Sequence, residues 1–231
     1  KMTPRVTGAA EIGFNRYTRG ISKTTVSGML SGTYDVTPNY DMTLSYEKFD
    51  AIREVKTVSS LAAGIDVDRI AFSVTSNPAY QVEGRPFHQR IFFDGRVSFA
   101  NFSDGNNQTA FVLRPYYRMR DDPTVDLSLG WRALSYSRQS PLYWSPSNYN
   151  GPFIQARIAG VGPWQGATYD VRAEFLIPNE SGSASRSLTA YLQHAFSESF
   201  FAGLSLTLAE SPRDGDTYRY GAILLDALYR F

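Results

Sequence analysis

The sequence predicts an all-β protein: a closed antiparallel transmembrane β-barrel of the outer-membrane type, with about 12 strands and 14 or 16 as alternatives. Three observations carry this. Apolar and polar residues alternate with a period of two over nearly the whole chain. The alternating stretches outrun the roughly 5–6 residues of a globular strand and reach the about 9–11 that a tilted membrane strand needs. Aromatic residues, 14% of the chain with 15 Tyr and 15 Phe, stand near the ends of the apolar faces. Examples are Phe14, Tyr34, Phe99, Trp131, Phe175 and Phe196, as an interfacial belt requires.

Read in order, the strands are expected at about 8–17, 24–36, 40–49, 58–76, 87–101, 107–120, 124–138, 151–160, 166–177, 187–196, 200–210 and 217–231. In the first three, Ile12 and Phe14, Leu30 and Tyr34, and Leu44 and Tyr46 alternate with small or polar residues. In the fourth, Ile70, Phe72 and Val74 read as strand, while 56–63 fits a strand, a loop or a short helix. In the fifth, Ile91, Phe93, Val97 and Phe99 oppose Arg90, Phe92, Asp94 and Arg96. In the sixth, Phe111, Leu113 and Met119 oppose Arg114, Tyr116 and Arg118; in the seventh, Leu127, Leu129 and Trp131 oppose Asp126, Ser128 and Arg132. The ninth gathers Thr168, Asp170, Arg172 and Glu174 on one face, whereas a helix would scatter these charges round its axis. The last three place Leu188, Ala190 and Leu192, then Leu204, Leu206 and Leu208, then Ile223 and Leu225 on apolar faces. No composition shift or linker interrupts the pattern, so residues 1–231 are expected to form a single barrel domain.

Composition narrows the function. Lys+Arg is 23 and Asp+Glu 22, a net charge of +1, which lacks the broad basic surface of a nucleic-acid binder. There is no cysteine, hence no disulfide framework or thiolate metal site, and only His88 and His194 offer imidazoles. No cofactor and no metal are expected. No run approaches about 18 apolar residues, so a transmembrane helix is excluded. A soluble sandwich would bury the apolar face; a membrane barrel turns it to lipid and must close, since lipid offers no partner to a sheet edge. Connections at 37–39, 121–123, 161–165 and 197–199 are tight, while those at 139–150, 178–186 and 211–216 are longer, the expected periplasmic and outer asymmetry.

Two kinds of motif resemble a known family. The chain ends with Leu228-Tyr229-Arg230-Phe231, and Tyr229 and Phe231 resemble the insertion signal of Gram-negative outer-membrane barrels. The runs Phe102-Ser103-Asp104-Gly105-Asn106 and Tyr143-Trp144-Ser145-Pro146-Ser147-Asn148-Tyr149 are similar to motifs in exopolysaccharide exporters. These are the C-terminal porin domains of the cellulose-synthase C subunit and the poly-N-acetylglucosamine exporter. The resemblance implies an outer-membrane channel that exports a polysaccharide and takes part in biofilm formation. The partners it implies are outer-membrane lipid, the polysaccharide, the barrel-insertion machinery, a periplasmic helical-repeat region and an inner-membrane synthase.

Parity nominates the pore-lining residues: Arg90, Asp94, Arg96, Arg114, Arg118, Arg132, Arg157, Asp170, Arg172, Glu174 and Asp226, with Asp126 and Arg230 beside them. Such a wall either offers hydrogen bonds to a hydrated polymer or pairs across strands and plugs the lumen. In the loop at 139–150, Tyr143, Trp144 and Tyr149 are candidate sugar contacts, or else belong to a belt or rim. His194 near Ser197 and Glu198 raises a lipid-modifying hydrolase. However, His194 falls on the lipid-facing parity and Ser197 and Glu198 on a tight turn, so no catalytic residue is expected. A stand-alone structural or small-solute barrel with a plugged lumen is the alternative to export.

Overall fold

The computed structural model describes residues 5–17, 22–55, 57–76, 81–162, 164–179, 184–213 and 216–229. Twelve strands follow one another: β1 (Val6–Tyr17), β2 (Lys23–Thr37), β3 (Tyr40–Asp50), β4 (Asp66–Ser76), β5 (Ile91–Phe102), β6 (Asn107–Asp121), β7 (Thr124–Tyr136), β8 (Tyr149–Val161), β9 (Ala167–Leu176), β10 (Ser185–Ala195), β11 (Phe200–Arg213) and β12 (Asp216–Tyr229). They form one sheet in sequence order, β1 through β12. Two short helices, α1 (Ile52–Val55) and α2 (Val58–Ala62), lie between β3 and β4. No described helix is long and apolar enough to cross a membrane. The chain divides into two compact units: Lys1–Ala79 with Asp94–Leu113 and Arg132–Asn150, and Tyr80–Phe93 with Arg114–Trp131 and Gly151–Phe231.

In the first unit β1 to β4 pair as antiparallel neighbours, and β4 pairs β5 from Val67↔Phe102 to Val74↔Gly95. The two faces are inverted relative to a water-soluble sheet. Phe14 is 76% exposed, Leu30 60% and Phe99 58%, while Ser27, Ser45 and Ser98 are buried. In water that arrangement would forfeit the hydrophobic contribution of each strand; against lipid it gains it. Close approach on the polar face requires glycine at 13, where a Cβ would stand 2.6 Å from the Ser27 hydroxyl.

The apolar packing of this unit sits at one end of its strands. Phe49, Ala51, Val55, Ile65, Val67, Ala100, Phe102, Tyr136 and Tyr143 make one buried cluster, joined by Leu134 and Leu142. The segment read as the start of a strand at 58 is instead α2, and β4 begins only at Asp66. The local apolar spacing explains the correction. Ala51 and Val55, then Leu61 and Ile65, are buried four residues apart, a helical interval that puts each pair on one side. Gly64, at φ 68, supplies the left-handed residue that ends α2.

In the second unit β8 to β12 form an antiparallel meander with continuous registers. Its polarity is inverted too: Leu129, Ile158 and Ile223 are exposed, and Asp126, Ser128 and Gln155 are buried. Residues 87–90 do not open β5 but form a 3-10 turn after Pro86, whose carbonyl accepts the Gln89 N–H at 3.0 Å. Ahead of that turn, Val82 is fully buried with Phe92 and Tyr116. The backbone N–H groups of Val82 and Glu83 both donate to Asp121 Oδ2, at 2.7 and 3.0 Å.

Candidate functional site: the charged polar face

On the polar face of the second unit, β6 to β9 carry a chain of guanidinium and carboxylate groups. Alternation alone puts Arg118, Asp126, Arg157, Asp170 and Arg172 on that side of their strands. Arg118 donates through Nε and Nη2 to the two oxygens of Asp126, at 2.9 and 3.3 Å. Arg157 Nη1 reaches the same Asp126 at 3.3 Å, and its Nη2 lies 2.9 Å from Asp170 Oδ2. Arg172 closes the far side with Nη2 2.7 Å from Asp170 Oδ2. Three cations thus share two carboxylates. Side-chain exposure rises from the Arg118–Asp126 pair (13% and 4%) through Arg157 and Asp170 (25% and 18%) to Arg172 (43%).

Beside this row, Arg114 Nη1 donates to Gln155 Oε1 at 2.6 Å, and Gln155 Nε2 donates to Glu174 at 3.2 Å. Asp226 accepts from the Tyr191 hydroxyl at 3.0 Å. Aromatic rings back the guanidiniums, with Arg118 lying 5.8 Å from the Phe92 ring centroid and 5.6 Å from that of Tyr116. Arg90 departs from the expected pattern. It sits in the 3-10 turn, donating to the Arg85 carbonyl at 3.0 Å and to the Tyr117 hydroxyl at 3.3 Å. It is therefore a residue of the connection before β5, not of the strand wall.

In the first unit the polar face is organised round Glu47. Arg69 Nη2 lies 2.5 Å from one of its oxygens and Arg96 Nη2 2.8 Å from the other. Arg69 also donates to Glu54 of α1, at 2.8 Å, and Gln108 Nε2 donates to Glu54 at 3.0 Å. The helical connection is thereby fastened to the polar side of β4 and β6. Asp94 accepts the backbone N–H and the hydroxyl of Ser76, at 2.8 and 2.6 Å, and so ties the end of β4 to β5. Arg132 is half-buried on β7. Glu47, Glu54, Arg69 and Gln108 were not among the residues expected here. Glu47 and Arg69 were findable, since each neighbours an outward residue, Tyr46 or Ile70, on the alternating pattern. Glu54 was not, because it lies on a helix.

The connection at 137–148 belongs to packing. Tyr143 is 4% exposed and stacks on Phe102 with centroids 5.3 Å apart. Its hydroxyl donates to Asp104, and burial pushes its pKa up to about 12. Asn106 is fully buried and saturated: Nδ2 donates to the Arg138 carbonyl and the Tyr143 hydroxyl, and Oδ1 accepts from Asn107, Ser137 and Arg138. Tyr149 is 6% exposed, with Trp144 edge-on at 4.8 Å. Tyr143 and Tyr149 therefore correct the expectation of sugar contacts, because their rings are already covered by protein. Trp144 is half-buried.

In the turn between β10 and β11, Ser197 Oγ accepts the N–H groups of Ser199 and Phe200, while His194 packs edge-on against Phe196. Tyr229 is the last residue of β12, in register with Phe200, whereas Arg230 and Phe231 lie outside the described residues. Among the described residues no group of acidic or histidine side chains is placed to hold a metal.

No family model and no curated protein matches this sequence. Among solved structures the chain is similar to a bacterial polysaccharide outer membrane secretin, with a TM-score of 0.66 and 18% identity over 98% of this chain and 76% of that one. The fold is that of an outer-membrane β-barrel. Two further solved structures are similar: KdgM porin in complex with disordered oligogalacturonate (TM-score 0.48, 10% identity, 99% of both chains) and KdgM porin (TM-score 0.46, 11% identity, 98% of this chain and 99% of that one). In barrels of that fold an exposed apolar face meets lipid and a charged polar face lines the lumen.

Proposed function

We propose that the chain is a channel in the outer membrane of a Gram-negative bacterium, and that it passes an exopolysaccharide outward. The observation that supports this best is the row Arg118–Asp126–Arg157–Asp170–Arg172, which grades from buried to open. A saccharide hydroxyl both donates and accepts, and a wall alternating guanidinium and carboxylate meets either need at each step. Because the charges already satisfy one another, they hold a passing sugar weakly, and a conducting path needs sites that are easy to leave. The likeness to a polysaccharide secretin agrees with this reading. The function calls for no nucleophile, cofactor or metal; the chain is a conduit rather than an enzyme. Barrel-insertion machinery would recognise Tyr229 and Phe231, a periplasmic helical-repeat region and an inner-membrane synthase would deliver the polymer, and Trp144 would be the aromatic contact nearest the exit.

A second reading, a plugged structural or small-solute barrel, is favoured by one observation. Glu54 of α1 clasps Arg69 and Gln108 on the polar face, which narrows whatever passes there. Planar-bilayer recording separates the two. An export channel conducts, its current is reduced by added neutral or acidic oligosaccharide, and Arg114→Glu with Arg132→Glu turns its selectivity toward cations. Replacing residues 52–62 by a short flexible link then raises conductance. A barrel silent both before and after that replacement would exclude export through this chain.

A further inference from the structure

One charged row stands on the wrong face of the sheet. In β10, β11 and β12 the outward residues are the set that includes Leu188, Leu204, Leu208, Ile223 and Leu225, all substantially exposed. Arg186, Glu210 and Arg219 share that parity and lie directly across from one another in register, Arg186↔Glu210 and Glu210↔Arg219. Charge at lipid-facing positions is tolerated only near the membrane boundary. The next row in is Leu188, Leu208 and Gly221, the first of three apolar rows that reach to the level of His194. The charged row therefore marks the level where lipid headgroups begin.

The level belongs to the outer leaflet. Strands follow in sequence order, so connections after odd-numbered strands share one edge of the sheet. That edge carries three of the four longest connections, 51–65, 137–148 and 177–184, against 77–90 on the other, and long connections face outward in this class of barrel. Arg186 begins β10 and Glu210 and Arg219 lie near the junction of β11 and β12, at that same edge.

The row is unbalanced. Arg186 Nη2 lies 2.8 Å from Glu210 Oε2 and Arg219 Nε 3.9 Å from the same oxygen, so two guanidiniums address one carboxylate oxygen. Both remain open, with side chains 69% and 80% exposed. Below them lies a groove lined by Leu188, Leu208 and the arginines themselves. Gly221 adds no side chain to this outer surface, where a Cβ would find only Leu208, at 3.5 Å. A second outward ion pair among the described residues, Lys48–Asp68 at 3.8 Å, is balanced, and its carboxylate also takes the Tyr46 hydroxyl at 2.5 Å.

We propose that Arg186 and Arg219 form a binding site for a phosphate-bearing lipid of the outer leaflet, whose phosphate bridges the guanidiniums while an acyl chain lies in the groove over Gly221. Guanidinium forks match phosphate oxygens in a bidentate manner, and a net positive row at the headgroup level is complementary to an anionic headgroup. The site rests on the chain's being a membrane barrel, but not on what passes through it.

The test is binding to the detergent-solubilised full chain, read by native mass spectrometry and calorimetry, with diphosphoryl lipid A as probe. Heat-modifiable migration in SDS is checked first, because its absence would defeat the membrane reading itself. With migration normal, Arg186→Gln combined with Arg219→Gln should weaken binding by about tenfold or more. Glu210→Gln should tighten it by removing the competing carboxylate, and Lys48→Gln should leave it unchanged. Fully dephosphorylated lipid should bind far more weakly than the diphosphoryl form. Wild-type affinity in the double variant, equal binding of the dephosphorylated lipid, or displacement by inorganic phosphate at concentrations equal to the lipid would each overturn the proposal.

Discussion

The buried cluster at one end of the first unit's strands, here the cap, and the ion row of the second are built on alternating strands, yet different forces hold them. The cap is dry. Nine buried apolar or aromatic residues from β3, β4, β5, β7 and two connections pack together, and the fully buried amide of Asn106 has every hydrogen-bonding group satisfied. The row has no comparable core and is held by charge-assisted hydrogen bonds between strands that are partly open to solvent. The difference teaches where each kind of change will register. Truncation should hurt the cap through lost packing, whereas charge changes in the row should alter what the wall prefers more than whether it stands.

The largest effect is expected at Phe102, which touches both Tyr136 and Tyr143. Phe102→Ala should cost about 3–5 kcal/mol and open 137–148 to limited proteolysis. A cost below about 1 kcal/mol would mean the cap is not a core.

Next comes the lipid side of the second unit. Leu206→Arg should cost roughly 2–4 kcal/mol in refolding into lipid vesicles, and Ser205→Arg far less. Equal costs would show that the two faces of β11 are exchanged, since a one-residue slip swaps them.

In the row, Asp126→Ala takes from Arg118 its paired carboxylate and leaves Arg157 with Asp170 alone. A fully buried pair broken this way costs about 3–5 kcal/mol. Arg157 is a quarter exposed, so about 2 kcal/mol is expected, with a shift toward anion selectivity in bilayers. Arg172→Gln, at the open end, should change stability by no more than about 1 kcal/mol while still shifting selectivity toward cations. If it unfolded the barrel instead, the row would be structural like the cap.

The smallest effect at neutral pH, and one specific to the cap, is alkaline. Burial raises the Tyr143 hydroxyl from its ordinary 10.0 to about 12. A group raised in the folded state stabilises fully below its unfolded value and loses that contribution as pH climbs through the folded one. Protection of 137–148 from proteolysis should therefore hold to about pH 10 and fade toward pH 12. Tyr143→Phe should remove the pH dependence, whereas arginines stay charged across that window.

Alternation made the strands legible because a pleated strand sends successive side chains to opposite faces, and a period of two survives whatever the strand packs against. Twelve strands, their order of faces and the inward placement of Arg118, Arg157, Asp170 and Arg172 all follow from it. The same pattern reached Glu47 and Arg69, which lie in weakly patterned stretches where charges stand next to one another, Glu47 beside Lys48 and Arg69 beside Asp68. Where the period breaks, the reading broke too. Residues 51–65 bury side chains four apart, and that signal is two pairs long, too short to outweigh the strand pattern on either side. Tyr143 could equally have faced a ligand or a core; only the presence of Phe102 and Tyr136 against its ring decided that.

Pairing was likewise invisible. Which carboxylate each arginine takes depends on cross-strand register, and register is set by hydrogen bonds between strands rather than by any one strand's pattern. The sequence by itself thus determined the strands and which face each residue takes, because those depend on local geometry. Tertiary structure alone decided that α1 turns Glu54 onto the polar face, that Asp126 serves two arginines, and that Arg186, Glu210 and Arg219 meet, because those contacts join residues far apart in the chain.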